Sequence, residues 1–225
     1  MEGILYGVGV GPGDPKLLTI QAVEILQSAD IIAYPKSKSE NTALKIVSGY
    51  IDGKPLMECY MPMTRDEALL EESHENCARD IITCLEKGQN VAFITLGDPA
   101  IYSTYMYVHK KVLKSGHSAQ LIPGITSFCA VASKLNDSLC EGKEPLLIIP
   151  ASYEGVDKCL DFEANKVFMK SGKSIVELRE KLRNKGKLKN AKMVECATME
   201  NEKIYDDLEH IDENSSYFSI IVVKE

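Results

Sequence analysis

The chain has 225 residues, 44% hydrophobic and 26% charged, with a net charge of −7; it is long enough for one large globular domain or two small ones. The acidic balance argues against a non-specific grip on nucleic acid, and no apolar run approaches the roughly 20 residues that span a bilayer. The start of the chain lacks the basic region of a signal peptide, and seven cysteines without a C-x-x-C pair fit a reduced, cytoplasmic setting.

Ile4-Leu5-Tyr6 reads as the first strand, and Gly7-Val8-Gly9-Val10-Gly11-Pro12-Gly13-Asp14-Pro15 as a tight loop after it. Leu18, Ala22, Ile25, Leu26 and Ala29 share one helical face, so a helix is expected over 15–28, with Asp14 as its N-cap and Pro15 at its first position. Strands follow at 30–34 and 56–60, with a polar loop over 36–40 and a short helix over 42–49 between them. Residues 67–87 form the clearest helix, with Leu70, His74, Cys77, Ile81 and Cys84 as its apolar stripe and Gly88 as its stop signal. A strand over 91–96, a helix over 103–115 and a strand over 119–122 complete the first half. Beyond them, Pro123-Gly124 opens another helix. Strands are expected at 146–150, 166–169, 191–196 and 217–223, and a basic amphipathic helix at 173–185. Strand and helix alternate in the first half, which implies a parallel sheet. The expectation is two α/β domains, 1–122 and 123–225.

The glycine loop invites a dinucleotide reading, and its spacing opposes one. G-x-G-x-x-G counted from Gly7 places Pro12 at the last glycine, and counted from Gly9 it places Asp14 there. A pyrophosphate at that helix start would meet a carboxylate, against the usual anion preference of such a terminus. A nucleotide-binding oxidoreductase therefore stands as the rival from a different class. Gly-Asp-Pro itself occurs twice, at 13–15 and 97–99, each time between a strand and a helix. Parallel strands bring both loops to one sheet edge, where open α/β sheets bind ligands. Pro123-Gly124 is a third turn in a similar position. The alternative for each copy is that Asp-Pro simply starts helices well.

GVGVGPGDPKLLT, TLGDPAIYSTYMYV and LIPGITSF, in that order along the chain, resemble the tetrapyrrole (precorrin) methylases. Tyr34-Pro35-Lys36-Ser37-Lys38 and the Tyr102-Ser103-Thr104-Tyr105 extension look most like the branch that methylates C20 of precorrin-2 or cobalt-factor II on the way to cobalamin. The resemblance implies S-adenosylmethionine as cofactor, bound in a cleft between two α/β domains, and a homodimer. It implies cofactor contacts from Pro12, from Leu96, Gly97 and Asp98 with Ile101, Tyr102, Ser103 and Thr104, and from Thr126 and Ser127. In the second domain it implies Met169 and Ala197, although Met169 alone would read as ordinary strand packing. Cys196 stands where an arginine is expected. Another precorrin methylase and the uroporphyrinogen III methyltransferase are the rivals within the family.

A sulfonium cofactor carries no phosphate, so a glycine-rich loop without an anion site suits it, and Asp14 and Asp98 add negative potential. The acceptor macrocycle is its own carbon nucleophile. A protein base would then only remove the C20 proton, and Tyr105 and Tyr102 are the candidates; aromatic packing is the other reading of both. The family's acceptor is a polycarboxylate, which calls for local cations: Lys36, Lys38 and Arg65, with Lys110-Lys111 as further candidates, each also readable as solvated surface charge. His74-x-x-Cys77 has metal-compatible spacing, but no second pair completes a site, so no protein-bound metal is expected. His109, His117 and His210 are isolated.

Overall fold

The computed structural model describes residues 2–36, 42–209, 211 and 215–225, and the chain divides into two compact units, residues 1–126 and 127–225. In the first unit, β1 (Leu5–Gly9), β2 (Ile31–Lys36), β3 (Leu56–Tyr60), β4 (Val91–Thr95) and β5 (Ala119–Ile122) form one sheet in the order β3-β2-β4-β1-β5. Every pairing is parallel. The helices are α1 (Ile20–Ser28), α2 (Thr42–Val47), α3 (Glu67–Glu86) and α4 (Tyr105–Lys114).

Strand periodicity assigns the two faces. Leu5, Ile31, Ala33, Val91 and Phe93 pack with Cys77, Ile81, Leu85, Val108 and Val112 of α3 and α4. Val8, Ile32, Ala92 and Ile94 pack with Ala22, Leu26, Ile46 and Val47 of α1 and α2. Because both faces are covered, β4 is buried along its whole length, as parallel sheets require. Crossovers lie on the α1/α2 face up to β3 and on the α3/α4 face thereafter. The chain thus changes sides before re-entering the sheet at β4, and all five strands end at one edge.

The first helix differs from its expected course. Pro15–Leu17 is a single 3-10 turn capped by Asp14, whose Oδ1 accepts from the Lys16 N–H at 2.9 Å. Leu18 and Thr19 are extended, and α1 begins only after Thr19, whose Oγ1 caps the Ala22 N–H at 3.1 Å. The apolar spacing runs through this break, so periodicity alone concealed it.

In the second unit, β6 (Leu146–Pro150), β7 (Asn165–Met169), β8 (Ala191–Glu195), β9 (Lys203–Tyr205) and β10 (Ser219–Val223) form a mixed sheet in the order β6-β7-β10-β8-β9. Only β6 and β7 pair in parallel. One face buries Phe168, Met193, Ile221 and Val223 against α6 (Val156–Leu160) and α7 (Ile175–Asn184). The helix α5 (Ser127–Leu135) packs against β8 and β10. Neither the one-turn-and-a-half α6 nor the three-residue β9 carries a periodic signal long enough to read from sequence. No helix among the described residues is long and apolar enough to cross a membrane.

Lys166 lies on β7 with no exposed surface. Its ammonium donates to the carbonyls of Phe162 and Ala164, at 2.7 and 2.6 Å, and to the Glu225 carboxylate. Lys187 holds the same carboxylate at 2.6 Å. Removing one partner of such a pair leaves a buried charge uncompensated. Glu225→Ala is expected to lower the unfolding free energy by about 3 kcal/mol in denaturant titrations, whereas Lys166→Met, which removes the charge itself, is expected to be close to neutral.

Two histidines titrate against burial. His74 of α3 is stacked on Tyr107 at 4.8 Å between ring centroids, and burial pushes its pKa down. His109 of α4 lies 2.9 Å from the Tyr105 hydroxyl, and burial depresses it likewise. Both are lowered from an ordinary value near 6.5, so the unfolded chain takes up protons first as pH falls. The stability of the neutral rings is complete above about pH 6.5 and is lost below it. The melting temperature should therefore drop between pH 7 and pH 5. His74→Phe, which retains an aromatic ring against Tyr107, should make that drop shallower; an unaltered slope would contradict this.

Candidate active site

The loops after β1, β4 and β5 meet backbone to backbone. The Val10 N–H donates to the Thr95 carbonyl at 3.0 Å, and Gly11 and Gly97 exchange two hydrogen bonds, at 3.2 and 2.8 Å. A β-carbon on Gly9 would lie 2.6 Å from the Gly124 nitrogen and 2.7 Å from the Gly97 oxygen; one on Gly124 would lie 2.2 Å from that same oxygen. The obstacles are main-chain atoms, so only glycine permits this approach. Asp98 closes the seam. Its Oδ1 accepts from the Ala100 N–H at 2.8 Å and its Oδ2 from the Gly124 N–H at 3.0 Å. Thr19 adds a link through its hydroxyl to the Pro123 carbonyl at 3.4 Å.

The expected site residues of the first unit gather around this seam. Pro12 and Gly97 are buried, and Leu96, Asp98 and Ile101 are half-buried. The hydroxyls of Ser103 and Thr95 are 2.8 Å apart, and Thr104 lies exposed just before α4. Thr126 Oγ1 is buried and has no hydrogen-bond partner, which leaves a donor and acceptor open to a ligand. Residues 9–14, 95–104 and 123–126 contain no Lys, Arg or His, while Asp14 and Asp98 lie among them. Such a seam fits a cationic ligand such as a sulfonium and does not fit a pyrophosphate.

The two tyrosines part company. Tyr102 is 45% exposed and adopts φ 50°. Tyr105 is a core residue: it is fully buried, packed on Phe93 at 5.1 Å between centroids, and its hydroxyl is engaged by His109. A β-carbon on Gly7 would lie 2.0 Å from the Tyr105 ring, so the ring sits over a gap in β1. Burial also pushes its phenol up. The expectation of Tyr105 as a base that faces the acceptor is corrected accordingly.

In the second unit, β7 and β8 both run antiparallel to β10, so Met169, the last residue of β7, and Ala197, two residues after β8, belong to strands that end at one edge of their sheet. Met169 is half-buried, Ala197 is 6% exposed, and Ser127 starts α5 half-buried. Cys196 and Thr198, on either side of Ala197, have φ 51° and 68°, and Lys170, next to Met169, has φ 57°. With Tyr102, these are four of the five non-glycine residues in the left-handed region among those described. Such backbone costs of order 1–3 kcal/mol per residue and collects at functional sites. Composition and periodicity gave no sign of it. The conformation is held by Glu202, which accepts the Thr198 N–H at 2.6 Å and pairs with Lys134 at 3.1 Å. The Cys196 side chain is buried 3.4 Å from the Asn201 amide nitrogen, so it takes no part in surface charge.

Of the expected cations, Lys36 ends β2 and pairs with Glu58 at 2.6 Å, and Arg65 is exposed in the segment after β3. Lys36 is thus at the end of its strand toward which β4, β1 and β5 also run. Lys38 lies outside the described residues. Lys111 sits in the later half of α4, paired with Glu71 and Glu75 of α3. No metal-holding cluster of His, Cys, Asp or Glu occurs among the described residues.

Asp98→Ala removes both carboxylate contacts at the seam. Hydrogen bonds to a charged group contribute about 1.5–3 kcal/mol each, so a melting-temperature loss and at least about tenfold weaker binding of S-adenosylhomocysteine are expected. Gly124→Ala should do the same by forcing main chains apart. Wild-type affinity in either variant, measured by calorimetry, would contradict the seam's role.

The family model of the Tetrapyrrole (Corrin/Porphyrin) Methylases matches residues 4–212. The chain is 35% identical to the probable cobalt-precorrin-2 C(20)-methyltransferase of Methanocaldococcus jannaschii, covering 98% of this chain and 95% of that protein. It is 32% identical to the precorrin-2 C(20)-methyltransferase of a Sinorhizobium species, covering 98% and 95%. The crystal structure of the Thermus thermophilus uroporphyrin-III C-methyltransferase complexed with S-adenosylhomocysteine shares the fold at a TM-score of 0.72 and 20% identity, covering 99% of this chain and 98% of that one. With the matched family spanning both units and near full-length relatives above 30% identity, the chain belongs to the tetrapyrrole methylases.

Proposed function

We propose that this protein transfers the methyl group of S-adenosylmethionine to C20 of precorrin-2 or cobalt-factor II in cobalamin biosynthesis, acting as a cytoplasmic homodimer. The observation that carries the reading is the seam of Gly9, Gly97 and Gly124, built from segments without Lys, Arg or His and edged by the unpartnered Thr126 hydroxyl. The near full-length relatives named as C20 methyltransferases support the choice of acceptor.

When bound, S-adenosylmethionine supplies an electrophilic methyl group on a cationic sulfur. The chain's own work is orientation. The loops after β1, β4 and β5 are fixed to one another by main-chain bonds and by Asp98, so little rearrangement accompanies binding. Positioning of this kind can contribute on the order of 7–11 kcal/mol to a barrier. Thr126 offers its hydroxyl to the cofactor, and Pro12, Leu96, Gly97, Ile101, Ser103, Thr104 and Ser127 line it. Met169 and Ala197 are assigned to the adenine. Asp98 is assigned to holding the lining rather than to touching the sulfur, because both its oxygens are used by backbone N–H groups. Tyr102, on an exposed left-handed residue, is the remaining candidate to take the C20 proton.

Calorimetry with S-adenosylhomocysteine and with NAD, followed by incubation with methyl-labelled cofactor and each of precorrin-2, cobalt-factor II and uroporphyrinogen III, tests the proposal. Binding of the first nucleoside only, with label at C20, is the expected result. NAD binding would sink the methylase assignment, and label on uroporphyrinogen III alone would reassign the acceptor.

A further inference from the structure

Tyr34 and Lys36 of β2 stand two residues apart, and Tyr34 is directly paired with Glu58 of β3 in the parallel register. The side chains of Tyr34, Lys36, Glu58 and Tyr60 therefore leave the sheet on one face. The Tyr34 hydroxyl donates to Glu58 Oε1 at 3.0 Å, and the Lys36 ammonium lies 2.6 Å from Oε2. One carboxylate is thus held at both oxygens by a phenol and an ammonium. The cluster lies in the last residues of β2 and β3, toward the edge at which β4, β1 and β5 carry the glycine seam.

The side chains of Lys36 and Glu58 are 56% and 50% exposed. An ion pair so open to water is screened and contributes little to stability, so an incoming carboxylate can take Glu58's place at small cost. Glu58 itself is anchored on an edge strand and can swing to solvent. Tyr60, 58% exposed on the same face of β3, adds an aromatic surface beside the pair.

We propose that Tyr34 and Lys36 form a carboxylate-binding subsite for the acceptor macrocycle, and that Glu58 is its resident occupant, displaced when a substituent carboxylate of the acceptor arrives. The inference rests on the reading of the acceptor as a polycarboxylate tetrapyrrole. Glu58 thereby sets selectivity: a substituent that is uncharged or misplaced fails to displace it, and the ammonium stays neutralised. A carboxylate also occurs on the methionine portion of the cofactor, so the experiment must separate the two sources.

The test is absorbance titration of cobalt-factor II into wild-type protein, Glu58→Ala, Glu58→Gln, Tyr34→Phe and Lys36→Ala, with calorimetry of S-adenosylhomocysteine on the same samples and melting temperatures as the check on folding. Removal of the competing carboxylate should tighten cobalt-factor II by about two- to fivefold in both Glu58 variants. Loss of either donor should weaken it by about three- to tenfold, with S-adenosylhomocysteine affinity unchanged throughout. Weaker or unaltered binding of cobalt-factor II by folded Glu58→Ala and Glu58→Gln overturns the proposal, because Glu58 then orients Lys36 instead of competing for it. Changes confined to S-adenosylhomocysteine overturn it in favour of the methionine carboxylate. Failure of the wild-type protein to bind any tetrapyrrole overturns the parent reading and this one with it, and is visible before any variant is made.

Discussion

The first unit depends on close approach between three pieces of main chain. Parallel strands lie about 4.8 Å apart, which leaves the turns after them crowded. Here that crowding is resolved by omitting side chains at Gly9 and Gly124 and by letting Gly11 and Gly97 bond across the gap. The Asp98 carboxylate then fixes what the missing side chains allow. The segments built this way offer peptide groups and hydroxyls, among them the unpartnered Thr126 Oγ1, and contain no Lys, Arg or His. The same glycines that make the loop look like a dinucleotide fingerprint therefore lie among segments that carry Asp14 and Asp98 and no Lys, Arg or His.

The acidic composition fits this division of labour. Several of the described cations away from β2 and β3 are spent on structural partners: Lys111 on α3, Lys166 and Lys187 on Glu225, Lys134 on Glu202, Lys181 on Asp157 and Glu177. Lys36 is itself more exposed than any of these, with 56% of its side chain open to solvent. Net charge alone would have pointed away from any anionic acceptor. The local arrangement at the end of β2 and β3, where Lys36 and Glu58 form an exposed pair, is what the proposed subsite rests on.

Much of the architecture was legible from residues in order. Alternating strands and helices, the buried run at 91–95 and the helix over 67–86 all carry long or strong periodic signals, and the doubly covered parallel sheet follows from them. The convergence of Pro12, Asp98 and Thr126 on one edge was readable from the repeated strand-Gly-Asp-Pro-helix order. Less legible was what depends on one residue's local bonding. Thr19 restarts the first helix because its hydroxyl outcompetes a continuous turn, although the apolar spacing runs straight through. Tyr105 looked available because it follows the motif, yet helix phase turns it inward beneath Gly7. The left-handed Cys196, Thr198 and Lys170 leave no trace in composition, since none is the glycine or asparagine that usually marks such backbone. Thr126 could be named from its motif, but that its hydroxyl lacks a partner is a property of the folded loop alone.

The strand order β3-β2-β4-β1-β5 sorts the edge into two neighbourhoods. The strands β4, β1 and β5 carry turns joined by main-chain contact, where a β-carbon at Gly9 or Gly124 would collide with backbone. The two strands at the other end carry ordinary side chains on open backbone. A lineage can therefore revise residues on β2 and β3 one at a time without disturbing the interlocked half, and variation in what is recognised can accumulate there while the shared chemistry stays constant.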